Sequence, residues 1–330
     1  MKKIMNQAEN YTDDMLKGIY RVHGSMVKCA AGDLRCYCTA KKTPGKVAIV
    51  TGGGNGHLPL FLGYVGEGML DGCGVGGVFR SPSGKQIYNI TREVENGAGV
   101  LYLYGNYSGD IMVFDDAAER CEMDDIETRS IVGADDVNSG SDPSIRRGVA
   151  GIFFMYKAAG AKAAEMGSLE EVYDAAKKAK EHTRTVGFAL TPCIIPEKGK
   201  PNFQLGESEM AMGMGIHGEP GIWTGPIQTA DDLARESCDT ILKDMPVAAG
   251  EEVALLINGL GSTPLDEQYI LANSVISYLE EKGIAVYRTW VGEYATSMEM
   301  AGASISLCKV DPQLKAWFDR PVHTPFYTQV

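Results

Sequence analysis

Short β-branched runs that end in glycine alternate along the chain with longer stretches that carry apolar residues at helical spacing. KVAIV (46–50) reads as a buried strand that runs into a glycine turn, TGGGNGH. GVLYLYGNY (99–107) reads as a second strand ending at glycine, and TRSIVGADD (128–136) as a third. RRGVAGIFFMYKAAGAKAAEMG (146–167) is apolar on most sides, which predicts a buried helix. The next helix opens with Ser168 and Glu171, a capping-box pair, and carries Val172, Ala175, Ala176 and Ala179 on one face.

From about residue 186 the pattern restarts. VGFALTPCII is strand-like, and TADDLARESCDTILKDM (229–245) is an amphipathic helix with Thr229 as its N-cap. EVALLINGLG (252–261) is a strand, followed by a helix with Pro264 at its first position and Gly283 past its end. IAVYRTWVG completes a strand–helix–strand unit, the sign of a parallel or mixed sheet. SISLCKVD and PQLKAWFD close the chain as strand and helix. The fold class is α/β. Two α/β domains are expected, spanning 1–184 and 185–330, with mixed, largely parallel sheets and helices packed on them. A ligand site between them is expected, since ligands favour strand C-termini and domain interfaces.

Composition narrows the function. The 330 residues are 44 % hydrophobic and 22 % charged, an ordinary globular balance. A net charge of −12 argues against a nucleic-acid partner, which needs clustered Lys and Arg. No apolar run approaches the ~18 residues of a membrane span. MKKIMNQAENYTDD lacks the apolar run of a signal peptide, so a cytoplasmic location is expected. The eight cysteines are scattered, and Cys36 and Cys38 stand too close together for a zinc pair, so no metal site is expected.

The candidate chemistry sits in glycine-rich loops. TGGGNGHLPL (51–60) fits either a tight structural turn or a loop whose amides meet a ligand; His57 favours the second. It is not a dinucleotide fingerprint, because His57 stands where the last glycine belongs. SPSGKQ (81–86) is not a phosphate loop, because Gln86 replaces Ser or Thr. A nucleotide-binding oxidoreductase is therefore disfavoured. GNYSGD (105–110) puts Asp110 where a strand ends, either as a helix cap or as a catalytic carboxylate. GMGIHGEPG (213–221) isolates His217 among four glycines, poor surroundings for a core histidine. An imidazole neutral near pH 7 serves as base, ligand or nucleophile. His182 ends a charged helix and suits its dipole.

GGGNGH, GNYSGD, RRGVAG, GIHGEPG, NGLGSTPL and TSMEMAGASISLCKVD, in this order, resemble the dihydroxyacetone kinase substrate-binding subunit family, DhaK or Dak1. The resemblance runs from about residue 10 to PVHTP (321–325). It implies two α/β domains, a homodimer, and a short-chain ketose held as a hemiaminal on His217. It also implies His57 as acid/base and hydrogen-bond partner, and Asp110 as acceptor of the hydroxyl proton during phosphorylation. Gly54, Asn55 and Gly56 fall in the family's substrate loop. The glycines about His217 are expected to leave room for the adduct. The aspartate-rich nucleotide loop of the family's partner is absent, so no cofactor is expected on this chain. Phosphate then comes from a separate DhaL-like subunit carrying ATP with Mg²⁺, or ADP recharged by a phosphotransferase protein. A ketose-binding sensor or co-regulator is the alternative.

Three departures from the family pattern bear on the substrate. The loop reads GGGNGHLP rather than GGGSGHEP, VGGVF (75–79) is followed by Arg80, and Gly105 stands where a substrate-contacting lysine is usual. Loss of that lysine is expected to open space for a ketose larger than dihydroxyacetone, such as erythrulose.

Overall fold

The computed structural model describes residues 2–330. Helix α1 (Tyr11–His23) leads into β1 (Val27–Ala30), β2 (Asp33–Thr39), β3 (Ala48–Asn55), β4 (Gly72–Val78), α2 (Gly84–Val94), β5 (Val100–Gly105), α3 (Ser108–Glu122) and β6 (Thr128–Gly133). These strands form one sheet in the order β1-β2-β4-β3-β5-β6. β3 runs parallel to β4 and β5, and β5 to β6. β1 and β2 add an antiparallel edge. Parallel neighbours need a crossover, which α2 supplies before β5 and α3 before β6.

The chain continues through α4 (Ile152–Ala164), α5 (Leu169–Glu181), β7 (Thr183–Ala189), β8 (Glu209–Met212), β9 (Trp223–Pro226), α6 (Ala230–Asp244), β10 (Glu252–Gly259), α7 (Leu265–Glu281), β11 (Ala285–Gly292), β12 (Gly302–Lys309) and α8 (Pro312–Phe318). A small hairpin, β13 (Val322–His323) and β14 (Thr328–Gln329), ends it. The second sheet has the order β11-β10-β12-β7-β8-β9. Its parallel pair is β10–β11, bridged by α7. The other neighbours are antiparallel. The molecule is thus α/β with two mixed sheets.

Several elements differ from the sequence pattern for local reasons. β3 does not stop at Val50 but carries its glycines inside the strand. A β-carbon at Gly53 would lie 2.3 Å from the Phe61 ring, and one at Gly52 would crowd Ile87 and Phe114. These glycines admit close packing onto a strand rather than a turn. Helix α4 starts at Ile152, not 146, because Asp135 draws the amides of Val149 and Gly151 to its carboxylate. SPSGKQ is a helix start: Ser83 and Gln86 form a capping box on α2. Pro264 precedes α7 as its N-cap residue. β1, β2, β4, β8, β9, α1, α2 and α3 lie outside the elements expected from sequence, although α1 buries Thr12, Leu16 and Ile19, and α2 Ile87, Ile90 and Val94, at helical spacing.

The apolar core crosses from one sheet to the other. α4 is buried nearly all round. Phe153 and Phe154 each lie 5.7 Å from the Trp290 ring, and Phe154 lies 5.2 Å from Phe318. Each such burial is worth roughly 1.5–3 kcal/mol. The C-terminal hairpin returns to the first half, where Glu67 and His323 exchange backbone hydrogen bonds of 3.0 and 2.9 Å.

Candidate active site

Three segments converge where the two halves meet: the C-terminal end of β3, the β5–α3 junction, and the loop between β8 and β9. A fourth segment, after β11, fixes the first. The Met298 amide donates to the Gly56 carbonyl at 2.7 Å and the Thr296 amide to the His57 carbonyl at 3.2 Å. Gly56 has φ +109°, open to glycine at little cost. His57 is fully buried, and its Nδ1 lies 2.8 Å from the Thr296 carbonyl. A carbonyl only accepts, so Nδ1 carries the proton and Nε2 keeps its lone pair. That Nε2 is buried without a partner. Burial, with the nearby His217, pushes His57 down to about 3, so the ring is neutral near pH 7.

His217 is oriented by its own loop. Its amide donates to Glu219 Oε2 at 3.0 Å and its Nδ1 to Glu219 Oε1 at 2.9 Å. A carboxylate on Nδ1–H leaves Nε2 as the free, nucleophilic nitrogen. The Asn202 amide holds the His217 carbonyl at 3.0 Å. Burial opposes the Glu219 charge, but the His217 hydrogen bond and Arg147 bring its carboxyl down to about 2. The glycines of this loop face protein atoms, contrary to the expectation that they leave room for an adduct. A β-carbon at Gly215 would sit 2.1 Å from Glu219 Oε2, one at Gly218 2.2 Å from Asn202, and one at Gly221 2.2 Å from the Met212 carbonyl. They let the loop fold tightly against protein atoms.

The His217 ring meets a shell of aromatic groups. Its centroid lies 4.6 Å from that of His57, the two planes at 88°. Phe79 stacks on His57 at 4.9 Å and presents its edge region to His217 at 5.3 Å. Tyr107 lies 4.9 Å from His217. Phe79 adopts φ +54°, an uncommon backbone state for a bulky residue, and its amide donates to the Asn55 carbonyl at 2.9 Å.

Asp110 lies in the first turn of α3 and is buried, with Oδ1 lacking any partner. It is not the N-cap, which is Tyr107. Burial pushes its carboxyl up to about 6 against the opposing effects of Ser81 and His217. His217 thus acts electrostatically on both His57 and Asp110. Two buried polar atoms in this region, His57 Nε2 and Asp110 Oδ1, have no hydrogen-bond partner. Orphaned buried polar groups cost free energy unless a ligand or water satisfies them.

The other sequence candidates behave differently. Asn55 turns its amide to Thr12 of α1 at 3.1 Å, within the protein. Gly54 abuts the backbone of Phe79 and Arg80, at 2.7 Å from the Arg80 nitrogen for an added β-carbon. Gly105 does not open space: a β-carbon there would meet the Tyr107 ring at 3.0 Å. Tyr107 covers that flank of the site, its hydroxyl donating to the Gly148 carbonyl at 3.2 Å. Phe79, Tyr107, Arg147, Glu219 and Thr296 were not singled out from sequence; Glu219, two residues from His217, was the most accessible of them. Among the described residues no cluster of three or more His, Cys, Asp or Glu side chains is placed to hold a metal.

Fold and site define an α/β protein that brings a carboxylate-oriented histidine, a buried second histidine and a buried carboxylate into one region between its halves. The Dak1 domain model matches residues 17–326, and the chain belongs to that family. It is 41 % identical over 328 residues to the "PTS-dependent dihydroxyacetone kinase 2, dihydroxyacetone-binding subunit DhaK" of Listeria innocua, covering 99 % of each chain. It is 36 % identical to an L-erythrulose kinase of Pectobacterium atrosepticum, over 99 % of this chain and 56 % of that one. Among solved structures, the dihydroxyacetone kinase operon co-activator DhaQ superposes with TM-score 0.91 at 32 % identity, covering 98 % of this chain and 99 % of DhaQ. The dihydroxyacetone kinase of C. freundii gives 0.92 at 26 % identity, over 99 % of this chain and 60 % of that one.

Proposed function

We propose that this chain is the ketose-binding subunit of a dihydroxyacetone-type kinase. The observation that carries the reading is His217 Nε2, left free by the Glu219 hydrogen bond beside the orphaned atoms of His57 and Asp110. His217 Nε2 adds to the ketone carbon, and the C=O π pair moves to oxygen, which takes up a proton. The resulting hemiaminal fixes a substrate too small to bury much surface, and it excludes polyols, which lack the electrophile. His57 Nε2 accepts a hydrogen bond from a substrate hydroxyl. The Asp110 carboxylate accepts the proton of the terminal hydroxyl as its oxygen attacks phosphorus, so positioning supplies most of the catalysis. A separate DhaL-like subunit brings nucleotide and Mg²⁺ and supplies the phosphoryl group.

Dihydroxyacetone is the substrate best supported, by the name of the Listeria relative and by the Tyr107 ring that fills the flank beside Gly105. Erythrulose follows, on the likeness to erythrulose kinases. The test is intact-protein mass spectrometry with C3 to C5 ketoses, then transfer assays with the nucleotide-binding subunit. Wild type gains one ketose, His217→Ala gains none, and Asp110→Asn keeps the adduct but loses transfer by at least about 100-fold. A wild type that gains no mass with any ketose removes the reading. The likeness to DhaQ supports a second reading, a ketose-binding co-regulator. An adduct that is never phosphorylated by the cognate subunit favours it.

A further inference from the structure

Glu219 holds His217, and something must hold Glu219. The nearest cation is Arg147, from the other half of the molecule. Its Nη1 lies 3.9 Å from Glu219 Oε2. Its Nε and Nη2 bind Asp136 Oδ2 at 2.9 and 2.8 Å, and Nη2 also donates to the Gly213 carbonyl at 2.9 Å. The Arg147 amide is fixed in turn by the Ser139 hydroxyl at 2.9 Å. A β-carbon at Gly215 would lie 2.7 Å from Arg147 Nη1 and 2.1 Å from Glu219 Oε2, so the glycine makes this approach possible. The guanidinium fork therefore spans from the segment before α4 to both ends of the His217 turn.

We infer that Arg147 is a positioning residue for the nucleophile, holding Glu219 on His217 Nδ1 and balancing its charge, with Asp136 seating the guanidinium. The inference rests on the proposed hemiaminal. In that adduct Nε2 gains a bond to carbon, the carbonyl oxygen takes a proton from solvent, and Nδ1 keeps its own proton. The ring becomes an imidazolium facing the Glu219 carboxylate, which stabilises it. A proton on Nε2 would remove the nucleophilic lone pair, so the charge around the ring bears on adduct formation. Arg147 places positive charge on the far side of that carboxylate while keeping it in place. The charged and titratable groups about His217 are Glu219 on its own loop, Arg147 backed by Asp136 from the β6–α4 segment, His57 from the end of β3, and Asp110 and Tyr107 at the start of α3.

Removing the two residues moves the pH profile in opposite directions. Adduct with dihydroxyacetone is measured by intact mass across pH 5 to 9 for wild type, Arg147→Met, Arg147→Lys and Glu219→Gln, with near-ultraviolet circular dichroism to verify folding. Arg147→Met moves the acid limb to higher pH and lowers the adduct plateau about tenfold. Glu219→Gln moves the acid limb to lower pH and also lowers the plateau. Arg147→Lys restores the limb but not the full plateau, since it keeps the charge without the fork. An Arg147→Met profile superimposed on wild type, or moved with Glu219→Gln, overturns the inference while leaving the hemiaminal standing. If Arg147→Met does not fold, Arg147→Lys and Glu219→Gln decide: a wild-type plateau in both overturns it. A wild type without adduct overturns the underlying reading instead.

Discussion

Asp110 pairs two properties that pull against each other. It is buried with one oxygen unpartnered, and burial pushes its carboxyl up to about 6 from an ordinary 3.8. Between these values the folded state holds a proton that the unfolded chain has released. Stability contributed by this group therefore falls as pH rises from about 4 to about 6, and stays lost above. Asp110→Asn removes the ionisation. It is expected to stabilise the fold at pH 7.5 by roughly 1–3 kcal/mol, with the gain vanishing below about pH 4. Urea unfolding of both proteins at the two pH values checks this. A variant less stable than wild type at pH 7.5 means that the carboxylate is supported in the fold and not strained by it. His57 is the mirror case: folding keeps it neutral to about pH 3, so its contribution is lost as pH falls below about 6.5.

At the scale of the element, two glycines look alike in sequence and do opposite things. Gly18 lies on the exposed face of α1, where a β-carbon meets nothing within 4 Å. Gly18→Ala is expected to stabilise by about 0.5–1 kcal/mol, because alanine lowers the entropy lost on folding. Gly215→Ala would drive a methyl into Glu219 and Arg147. It is expected to cost about 1–3 kcal/mol and to abolish the adduct with circular dichroism of the helices unchanged. Thermal melts and intact mass check both, and an adduct-competent Gly215→Ala places the loop elsewhere. The same contrast explains what the sequence made legible. Strands such as KVAIV and EVALLINGLG announce themselves by apolar runs, and α5 by its capping box. β4, GCGVGGV, hides because its glycines are packing surfaces: a β-carbon at Gly74 would lie 2.4 Å from Ile87. His57, Asp110 and His217 stood out because chemistry-bearing side chains ended glycine loops. Phe79, Tyr107 and Arg147 did not, because their roles come from partners remote in sequence or from a backbone angle that no local pattern encodes.

At the scale of the molecule, the site depends on two sheets that share one apolar core, although each also packs a smaller cluster of its own. The expected division near 184–185 falls beside Thr183, where the first strand of the second sheet begins. Yet α4 and α5 precede that point and pack into a core shared with Ala254, Leu256, Trp290 and Phe318 from beyond it. The final hairpin then crosses back to Gly63 and Glu67. Thr296 and Met298 bind the His57 turn, and Arg147 binds the His217 loop, so the geometry of the candidate site is itself made of contacts between the halves. A boundary of this kind predicts one cooperative transition rather than two. Phe153 lies in that shared core, its ring 5.7 Å from Trp290 and 5.1 Å from Tyr294. Phe153→Ala is expected to cost about 3–5 kcal/mol. Tryptophan fluorescence, which reports Trp223, Trp290 and Trp317 in the second half, and hydrogen exchange at β3 and β5 in the first sheet should move to lower denaturant together. If the second half melted first while β3 and β5 kept their protection, the halves would be independent units, and the His57–Thr296 contact would be a docking interaction rather than part of one fold.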